Sequence, residues 1–251
     1  MEEYKQRLAR LLAETGALFF DDNLVLKDTR PTPYFVNFGM FRTARLSREL
    51  GSLFADMIVE SGLTEKTDII LGPSYKGSAI AIVTAIGLYE KYGHDLFFEY
   101  DRKEVKSHGE GSTSKSLMVN RTLYDGCRIF IVDDVTTTMG TKYELIDRIK
   151  GEAASNRIKV YVSGIGIAID REQSTALYDD NGKYIPNVRG ENTIKIFTQK
   201  TGIPVYAIAG IREVVQYLYE EKIPVNIKGA RQVMDNETKA LFDSYLMTYG
   251  N

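Results

Sequence analysis

Apolar and polar residues follow one another along this chain in patterns that predict both helices and strands. The apolar residues at 46, 50, 53, 54, 57 and 58 recur every three or four positions, which indicates an amphipathic helix from about Thr43 to Gly62. Further helices are predicted over 4–16, 77–93, 141–150 and 211–221, and from Asp235 onward. Short, mostly apolar runs predict strands over 23–27, 33–38, 67–72, 95–100, 127–133, 157–170 and 203–210.

Most of the predicted strands are apolar on both faces and alternate with helices. A strand with two apolar faces is typical of a parallel sheet that is covered by helices on both sides. We therefore expect an α/β fold with a central, mostly parallel sheet flanked by helices. Ligands of such sheets bind beyond the carboxyl ends of the strands, so the residues directly after each strand are the candidates for chemistry.

The length and composition favour one soluble α/β domain, and two domains are the alternative. Of the 251 residues, 43% are hydrophobic, which is sufficient for an α/β core. The net charge of −2 gives no indication of a nucleic-acid or membrane partner, and the longest nearly apolar stretch, 79–89, is shorter than the roughly 20 residues that span a bilayer. The N-terminus lacks the apolar region of a signal peptide, and the lone Cys127 fits a reducing compartment. We expect a cytoplasmic protein.

The predicted strand 127–133 ends in two adjacent carboxylates, Asp133 and Asp134, and a run of threonines and a glycine follows over 136–141. Hydroxyls and the N–H groups at a helix N-terminus can hold a phosphate. The carboxylates would repel that phosphate, so they are better suited to sugar hydroxyls or to water around a metal ion. A phosphorylated sugar satisfies both halves of the motif. The alternative is a capped helix with two solvated aspartates.

Other motifs with acids or glycines at the ends of strands do not fit. A Walker B strand requires G-x-x-x-x-G-K-[ST] elsewhere, and "GSTSKS" lacks the glycine before Lys115. A phosphatase with an aspartyl nucleophile would have D-x-D, whereas these two acids are adjacent. A dinucleotide-binding G-x-G-x-x-G after a first strand is absent.

Two further loops carry cations beyond the ends of predicted strands. In "GPSYKGSA", 72–79, the glycines allow close approach to a ligand and Lys76 would project into the cleft; a surface lysine in a turn is the alternative. The segment 101–116 is rich in Gly, Ser and charge, which suggests a mobile lid that closes on an anion; a solvated loop is the alternative. Its candidate donors are Arg102, Lys103, Lys106 and His108.

Five blocks of sequence together resemble a known family. "IFIVDDVTTTMGT" is similar to the phosphoribosylpyrophosphate-binding signature of type I phosphoribosyltransferases. With "LKDTRPTPYFVN", "GPSYKGSAIA", "DRKEVKSHGEG" and "IDREQ", it resembles orotate phosphoribosyltransferases from about residue 24 to 172. The resemblance implies the type I phosphoribosyltransferase fold in a single domain over 1–251, with a small N-terminal hood over 1–40. It also implies formation of orotidine 5′-monophosphate from orotate, with Mg²⁺, in pyrimidine synthesis by a homodimer whose lid reaches the partner's site.

The resemblance also implies which residues act. Phosphoribosylpyrophosphate would be bound by Lys27, Tyr75, Lys76, Arg102, Lys103, Lys106, His108, Asp133, Asp134, Val135, Thr136, Thr137, Thr138, Met139, Gly140 and Thr141. Orotate would be bound by Lys27, Phe35, Val36, Thr137 and Arg171, with Phe35 near the ring and Arg171 on the carboxylate. The catalytic residues would be Lys106, His108, Asp133 and Asp134. No protein ligand of the metal is implied, because the substrate and water would hold the Mg²⁺.

The chain departs from the family pattern at three places. Thr136 and Met139 stand where the family usually has an aliphatic and a small residue, and we expect Gly140 rather than Met139 to take a positive φ. The stretch 174–193 is long, and its "DDNGKY" predicts a β-hairpin that is structural or lies at a subunit contact. Two other functions stay open: a purine-type phosphoribosyltransferase and a non-catalytic regulator that senses phosphoribosylpyrophosphate.

Overall fold

A computed structural model describes residues 1–103, 116–136 and 139–251 of the chain. It divides into two compact units. Unit 1 comprises Met1–Thr43, Ile169–Ile196 and Ala209–Asn251, and unit 2 comprises Ala44–Ala168 and Phe197–Ile208. The residues predicted as the hood, 1–40, all belong to unit 1. The single domain over 1–251 stays a prediction.

Seven α-helices and nine strands lie within the described ranges. In chain order the helices are α1 (Glu3–Thr15), α2 (Ala44–Glu60), α3 (Lys76–Tyr92), α4 (Gly140–Asn156), α5 (Thr193–Thr201), α6 (Ile211–Glu220) and α7 (Asn236–Tyr249). The strands are β1 (Leu18–Val25), β2 (Pro31–Val36), β3 (Ile69–Gly72), β4 (Phe97–Tyr100), β5 (Cys127–Val135), β6 (Val160–Asp170), β7 (Val205–Gly210), β8 (Val225–Ile227) and β9 (Ala230–Gln232). No helix among the described residues combines the length and the apolar character needed to cross a membrane.

The predicted central sheet is present. Its five strands lie in the order β4-β3-β5-β6-β7, and β3 pairs in parallel with both β4 and β5. The run Ile129–Val132 on β5 is fully buried on both faces, and α3 packs against β3, β4 and β5. The α/β class and the mostly parallel sheet are therefore confirmed.

Unit 1 contains a second sheet that the apolar pattern did not predict in full. Its order is β2-β1-β8-β9, in which β1 is antiparallel to β2 and parallel to β8. Strands β8 and β9 have only three residues each, too few for a recognisable run of alternation. The rings of Phe20, Tyr34 and Phe242 lie within 6.5 Å of one another and join this sheet to α7.

Helix α4 is longer than predicted. We expected it to stop near residue 150, before Gly151, but it continues to Asn156. Ile146, Ile149 and Ala153 form a continuous buried stripe along it. Burial of this stripe outweighs the cost of about 1 kcal/mol that a glycine imposes inside a helix.

The predicted hairpin over 174–193 is present as isolated bridges rather than as two regular strands. Ser174 pairs with Asn192, and Tyr178 with Tyr184, both in antiparallel fashion. The chain reverses at Gly182, whose φ is +74°, and the Gly182 N–H donates to the Asp179 carbonyl at 2.9 Å. The Asn-Gly pair therefore marks the turn, as expected.

Glu99 on β4 is fully buried and organises the loop that precedes β5. Its Oε1 accepts hydrogen bonds from Asn120 N at 2.8 Å and Tyr100 N at 3.0 Å, and its Oε2 accepts from Thr122 N and Oγ1, both at 3.0 Å. Replacing Glu99 with alanine leaves these donors without their acceptor. We expect the free energy of unfolding to fall by about 1–3 kcal/mol in urea titrations.

The matched control for this change is Glu90→Ala. Glu90 forms an exposed pair with Arg48 on the surface, 3.0 Å apart, and its removal is expected to cost less than about 0.5 kcal/mol. A Glu99→Ala protein as stable as the Glu90→Ala protein would contradict the anchoring role of Glu99.

Candidate active site

A cleft of about 250 Å³ opens in unit 2 where β3, β4 and β5 end. Its walls are Pro73, Ser74, Tyr75, Lys76, Asp101, Lys103, Asp133, Asp134, Thr141, Glu144, Leu145 and Arg148. Six residues that the sequence singled out therefore share one cleft: Tyr75, Lys76, Lys103, Asp133, Asp134 and Thr141. The position agrees with the rule that ligands bind beyond the carboxyl ends of parallel strands.

The two adjacent aspartates differ in their partners. Asp133 Oδ2 accepts a hydrogen bond from Lys142 Nζ at 2.5 Å, and this lysine is only 2% exposed. Asp134 Oδ2 accepts from Lys76 Nζ at 3.0 Å, and Lys76 is 58% exposed. The Lys142–Asp133 pair is therefore buried. In the exposed pair, Asp134 can exchange Lys76 for a ligand at little cost in free energy.

Burial raises the pKa of Asp133 above its ordinary value, the Lys142 ammonium opposes this rise, and the neighbouring Asp134 carboxylate adds to it. The second oxygen of Asp133, Oδ1, accepts from Asp134 N at 2.9 Å. Both oxygens of this carboxylate are thus held by the protein. The orientation of the Asp133 carboxylate is therefore fixed by these protein contacts before a ligand binds.

The backbone of the predicted phosphate loop differs from our expectation. Met139 itself takes the left-handed conformation, with φ 59° and ψ 2°, while Gly140 is the first residue of α4. The expectation that Gly140 would take the positive φ is therefore wrong. The Met139 side chain is 2% exposed and its Sδ lies 3.0 Å from Thr136 Oγ1, so that burial of the side chain offsets the strained backbone.

The other residues of this loop are less constrained. Val135 and Thr136 are half-buried, and Gly140 and Thr141 are exposed. Thr137 and Thr138 lie outside the described residues. The loop is therefore described only at its two ends, which β5 and α4 hold.

The loop after β3 is tied to the start of the predicted lid. Ser74 N donates to Asp101 Oδ1 at 2.7 Å, and Arg148 Nη1 donates to Asp101 Oδ2 at 2.7 Å and to Arg102 O at 3.0 Å. Lys103 Nζ lies 5.5 Å from the centroid of the exposed Tyr75 ring. Asp101, which is 5% exposed, thus joins three elements of the cleft.

The two flanks of the predicted lid pair with each other. Arg102 N donates to Leu117 O at 2.7 Å, and Asp101 forms an antiparallel bridge with Met118. Of the predicted lid donors, Arg102 and Lys103 are described, whereas Lys106 and His108 lie outside the described residues.

A second cluster lies in unit 1 around Arg171, which directly follows β6. Its guanidinium carbon lies 5.6 Å from the centroid of the Tyr34 ring and 5.9 Å from that of Phe35. Arg171 is 6% exposed, and its Nε and Nη2 have no hydrogen-bond partner among the residues that the structure describes. A buried guanidinium with two unused donors is prepared for an anion.

Tyr34 and Gln173 support this cluster from behind. Gln173 Nε2 donates to Tyr34 Oη at 2.8 Å, and Tyr34 Oη donates to Arg171 O at 3.3 Å. Tyr34 is fully buried, and burial raises its pKa well above the ordinary value. Its hydroxyl therefore stays neutral and holds the Arg171 backbone in place.

The remaining predicted orotate residues are placed less tightly. Phe35 is half-buried and its ring centroid lies 5.8 Å from that of Phe19, and Val36 is 6% exposed. Lys27 is exposed in the turn between β1 and β2.

Sequence reasoning missed three charged residues that line the cleft, Asp101, Glu144 and Arg148, and it also missed Lys142, which lies behind Asp133. Lys142 had a signal, since it occupies the apolar stripe of α4 three and four positions before Leu145 and Ile146. The pairing of Asp101 with Arg148 had no signal in the sequence, because the two residues are 47 positions apart in the chain.

Comparisons with known proteins show the family to which this chain belongs. The family model described as a phosphoribosyl transferase domain matches residues 43–199. The chain is 33% identical to the orotate phosphoribosyltransferase of Bifidobacterium adolescentis, covering 97% of this chain and 96% of that protein. It is 32% identical to that of Clostridium beijerinckii, covering 100% and 99%. The crystal structure of orotate phosphoribosyltransferase from Francisella tularensis matches with a TM-score of 0.74 at 24% identity, covering 98% of this chain and 100% of that one.

Proposed function

Because the chain belongs to the phosphoribosyltransferase family and, within it, to the orotate phosphoribosyltransferases, we propose that it transfers the phosphoribosyl group of phosphoribosylpyrophosphate to orotate. The products are orotidine 5′-monophosphate and pyrophosphate, on the route of pyrimidine synthesis. The observation that carries the choice of orotate is the buried guanidinium of Arg171, because a carboxylate would satisfy its Nε and Nη2 together. A neutral purine base offers no such group.

The sugar-phosphate half of the donor is assigned to the end of β5 and the start of α4. The N–H groups and hydroxyls of residues 136–141 hold the 5′-phosphate, and Asp133 and Asp134 accept hydrogen bonds from the ribose hydroxyls. The supporting feature is the exposed pair of Lys76 with Asp134. An incoming pyrophosphate attracts the Lys76 ammonium, which leaves the Asp134 carboxylate available to the ribose.

In the reaction the bond from ribosyl C1 to pyrophosphate breaks, and a ring nitrogen of orotate forms the new bond to C1. The transition state resembles an oxocarbenium ion, and the departing pyrophosphate gathers negative charge. Lys76, Arg102, Lys106 and His108 stabilise that charge more strongly in the transition state than in the ground state. Tyr75 and Lys103 contact the same pyrophosphate. No covalent nucleophile is required.

The residues of the cleft suit a Mg²⁺ ion that arrives with the substrate. Within the described ranges, no group of three or more His, Cys, Asp or Glu residues could hold a metal ion. Asp133 and Asp134 each already accept a hydrogen bond from a lysine. Mg²⁺ keeps most of its waters, so the substrate and water would hold the ion beside Asp133 and Asp134, and when bound it would reduce the charge on the leaving group.

The chain is proposed to form a homodimer in the cytoplasm, with lid residues acting across the interface. Large exposed apolar side chains occur on α3, at Ile86 and Tyr89, and on the adjacent edge strand β4, at Phe97 and Phe98. An edge strand with exposed aromatic residues favours association with another chain. Sedimentation velocity tests the dimer, and the free, buried thiol of Cys127 is consistent with a reducing compartment.

A spectrophotometric assay of orotate consumption tests the proposed reaction. We expect consumption that requires both phosphoribosylpyrophosphate and Mg²⁺, and no reaction with hypoxanthine or xanthine in place of orotate. Turnover of a purine but not of orotate would show a purine-type enzyme. Thermal stabilisation by phosphoribosylpyrophosphate without pyrophosphate release would instead support the non-catalytic regulator.

A further inference from the structure

Lys142 is a charged residue in a position that suits an apolar one. It lies on the inner face of α4, and the other buried residues of this fully described helix are Leu145, Ile146, Ile149 and Ala153. A buried ammonium is costly unless it is paired. An aliphatic side chain would continue the buried stripe without that cost in free energy. The charge of Lys142 therefore indicates a role beyond packing.

The contacts of the Lys142 ammonium indicate what this role is. Its Nζ donates to Asp133 Oδ2 at 2.5 Å and approaches Val135 O at 3.4 Å. Lys142 does not line the cleft, whereas Asp133 does. The lysine therefore holds Asp133 from behind and leaves its own ammonium out of reach of a ligand.

We propose that Lys142 is a positioning residue for the transferase reaction, which holds the Asp133 carboxylate charged and correctly directed toward the ribose hydroxyls. The inference rests on the proposed function of Asp133. It assigns different tasks to the two lysines of the aspartate pair. Lys142 is the permanent partner of Asp133, whereas Lys76 leaves Asp134 when pyrophosphate binds.

Other charged groups around Asp133 do not replace Lys142. On the same strand Asp134 has the same sign, and the cleft also contains Lys76 on α3, Asp101 and Lys103 after β4, and Glu144 and Arg148 on α4. Lys76 is paired with Asp134, and Arg148 with Asp101. Lys142 is the cation that donates to Asp133 among the described residues.

The test compares Lys142→Met with Lys142→Arg and with the control Lys150→Met, which removes an exposed lysine of the same helix. Without the ammonium the charged form of Asp133 loses its partner, so its pKa rises and the acid limb of the pH–rate profile moves to higher pH. We expect kcat/KM for phosphoribosylpyrophosphate to fall roughly ten- to hundredfold in Lys142→Met. Lys142→Arg should restore part of the rate and the original acid limb, and Lys150→Met should match the wild type.

A folded Lys142→Met enzyme with the wild-type rate and pH profile would overturn the inference. If Lys142→Met does not fold, Lys142→Gln is the substitute, because it keeps a hydrogen-bond donor without the charge. An acid limb of the pH–rate profile that is unshifted in Lys142→Gln would also overturn the inference. Asp133→Asn separates this inference from the proposed function. A wild-type rate in Asp133→Asn would contradict the proposed function of Asp133. A low rate in Asp133→Asn together with a wild-type rate in Lys142→Met would contradict only the proposed role of Lys142.

Discussion

Replacing Arg171 with alanine is expected to raise KM for orotate by about 10- to 100-fold and to change KM for phosphoribosylpyrophosphate little. The factor corresponds to the roughly 1.5–3 kcal/mol that a hydrogen bond to a charged group contributes. The physical reason is that two donors of this buried guanidinium, Nε and Nη2, have no partner among the described residues and so remain available to the orotate carboxylate. Steady-state kinetics with each substrate varied in turn measures both constants.

Two further variants make the Arg171 experiment specific. Arg171→Met keeps an apolar side chain over the rings of Tyr34 and Phe35 but has no donors, so it separates lost packing from lost hydrogen bonds. Arg231→Ala removes an exposed arginine on β9 and is expected to leave both KM values unchanged. An equal loss of affinity for both substrates in Arg171→Met would contradict the assignment of Arg171 to orotate.

Replacing Lys106 with alanine is expected to lower kcat by roughly 10²-fold or more while leaving the melting temperature unchanged. This is the scale on which one donor to a transition-state charge contributes to a rate. Lys106 lies outside the described residues, and the prediction follows from the cluster of Arg102, Lys103, Lys106 and His108 in the sequence. Pre-steady-state and steady-state turnover of orotate provide the measurement.

Lys115→Ala is the control for Lys106, since it removes the same charge from the same predicted lid without removing a proposed donor. We expect its kcat to stay near the wild-type value. Unchanged turnover in Lys106→Ala would refute the proposed part of this lysine in stabilising pyrophosphate. A loss of equal size in both variants would point to the net charge of the segment rather than to one donor.

The strands of the central sheet and most of the helices were predictable from local pattern. Helix α5 was not predicted, β1 begins at Leu18 rather than at residue 23, and β5 continues to Val135 rather than ending at residue 133. The apolar run Ile129–Val132 predicted a strand that is buried on both faces. The adjacent Asp133 and Asp134 predicted the end of that strand at which the functional residues lie. Six predicted residues share the cleft as a result. The three-residue strands β8 and β9 were not predictable, because a pairing so short has no periodicity of its own.

The sequence by itself determined the α/β class, the parallel sheet and the residue types at the ends of its strands, because hydrophobic periodicity and strand-end chemistry are properties of neighbouring positions. The tertiary structure alone decided which charges meet: Lys142 with Asp133, and Arg148 with Asp101. It also decided that Met139 takes the left-handed conformation and that two nitrogens of Arg171 are buried without a partner. These outcomes depend on burial and on contacts between distant segments, for which local propensity contains no information.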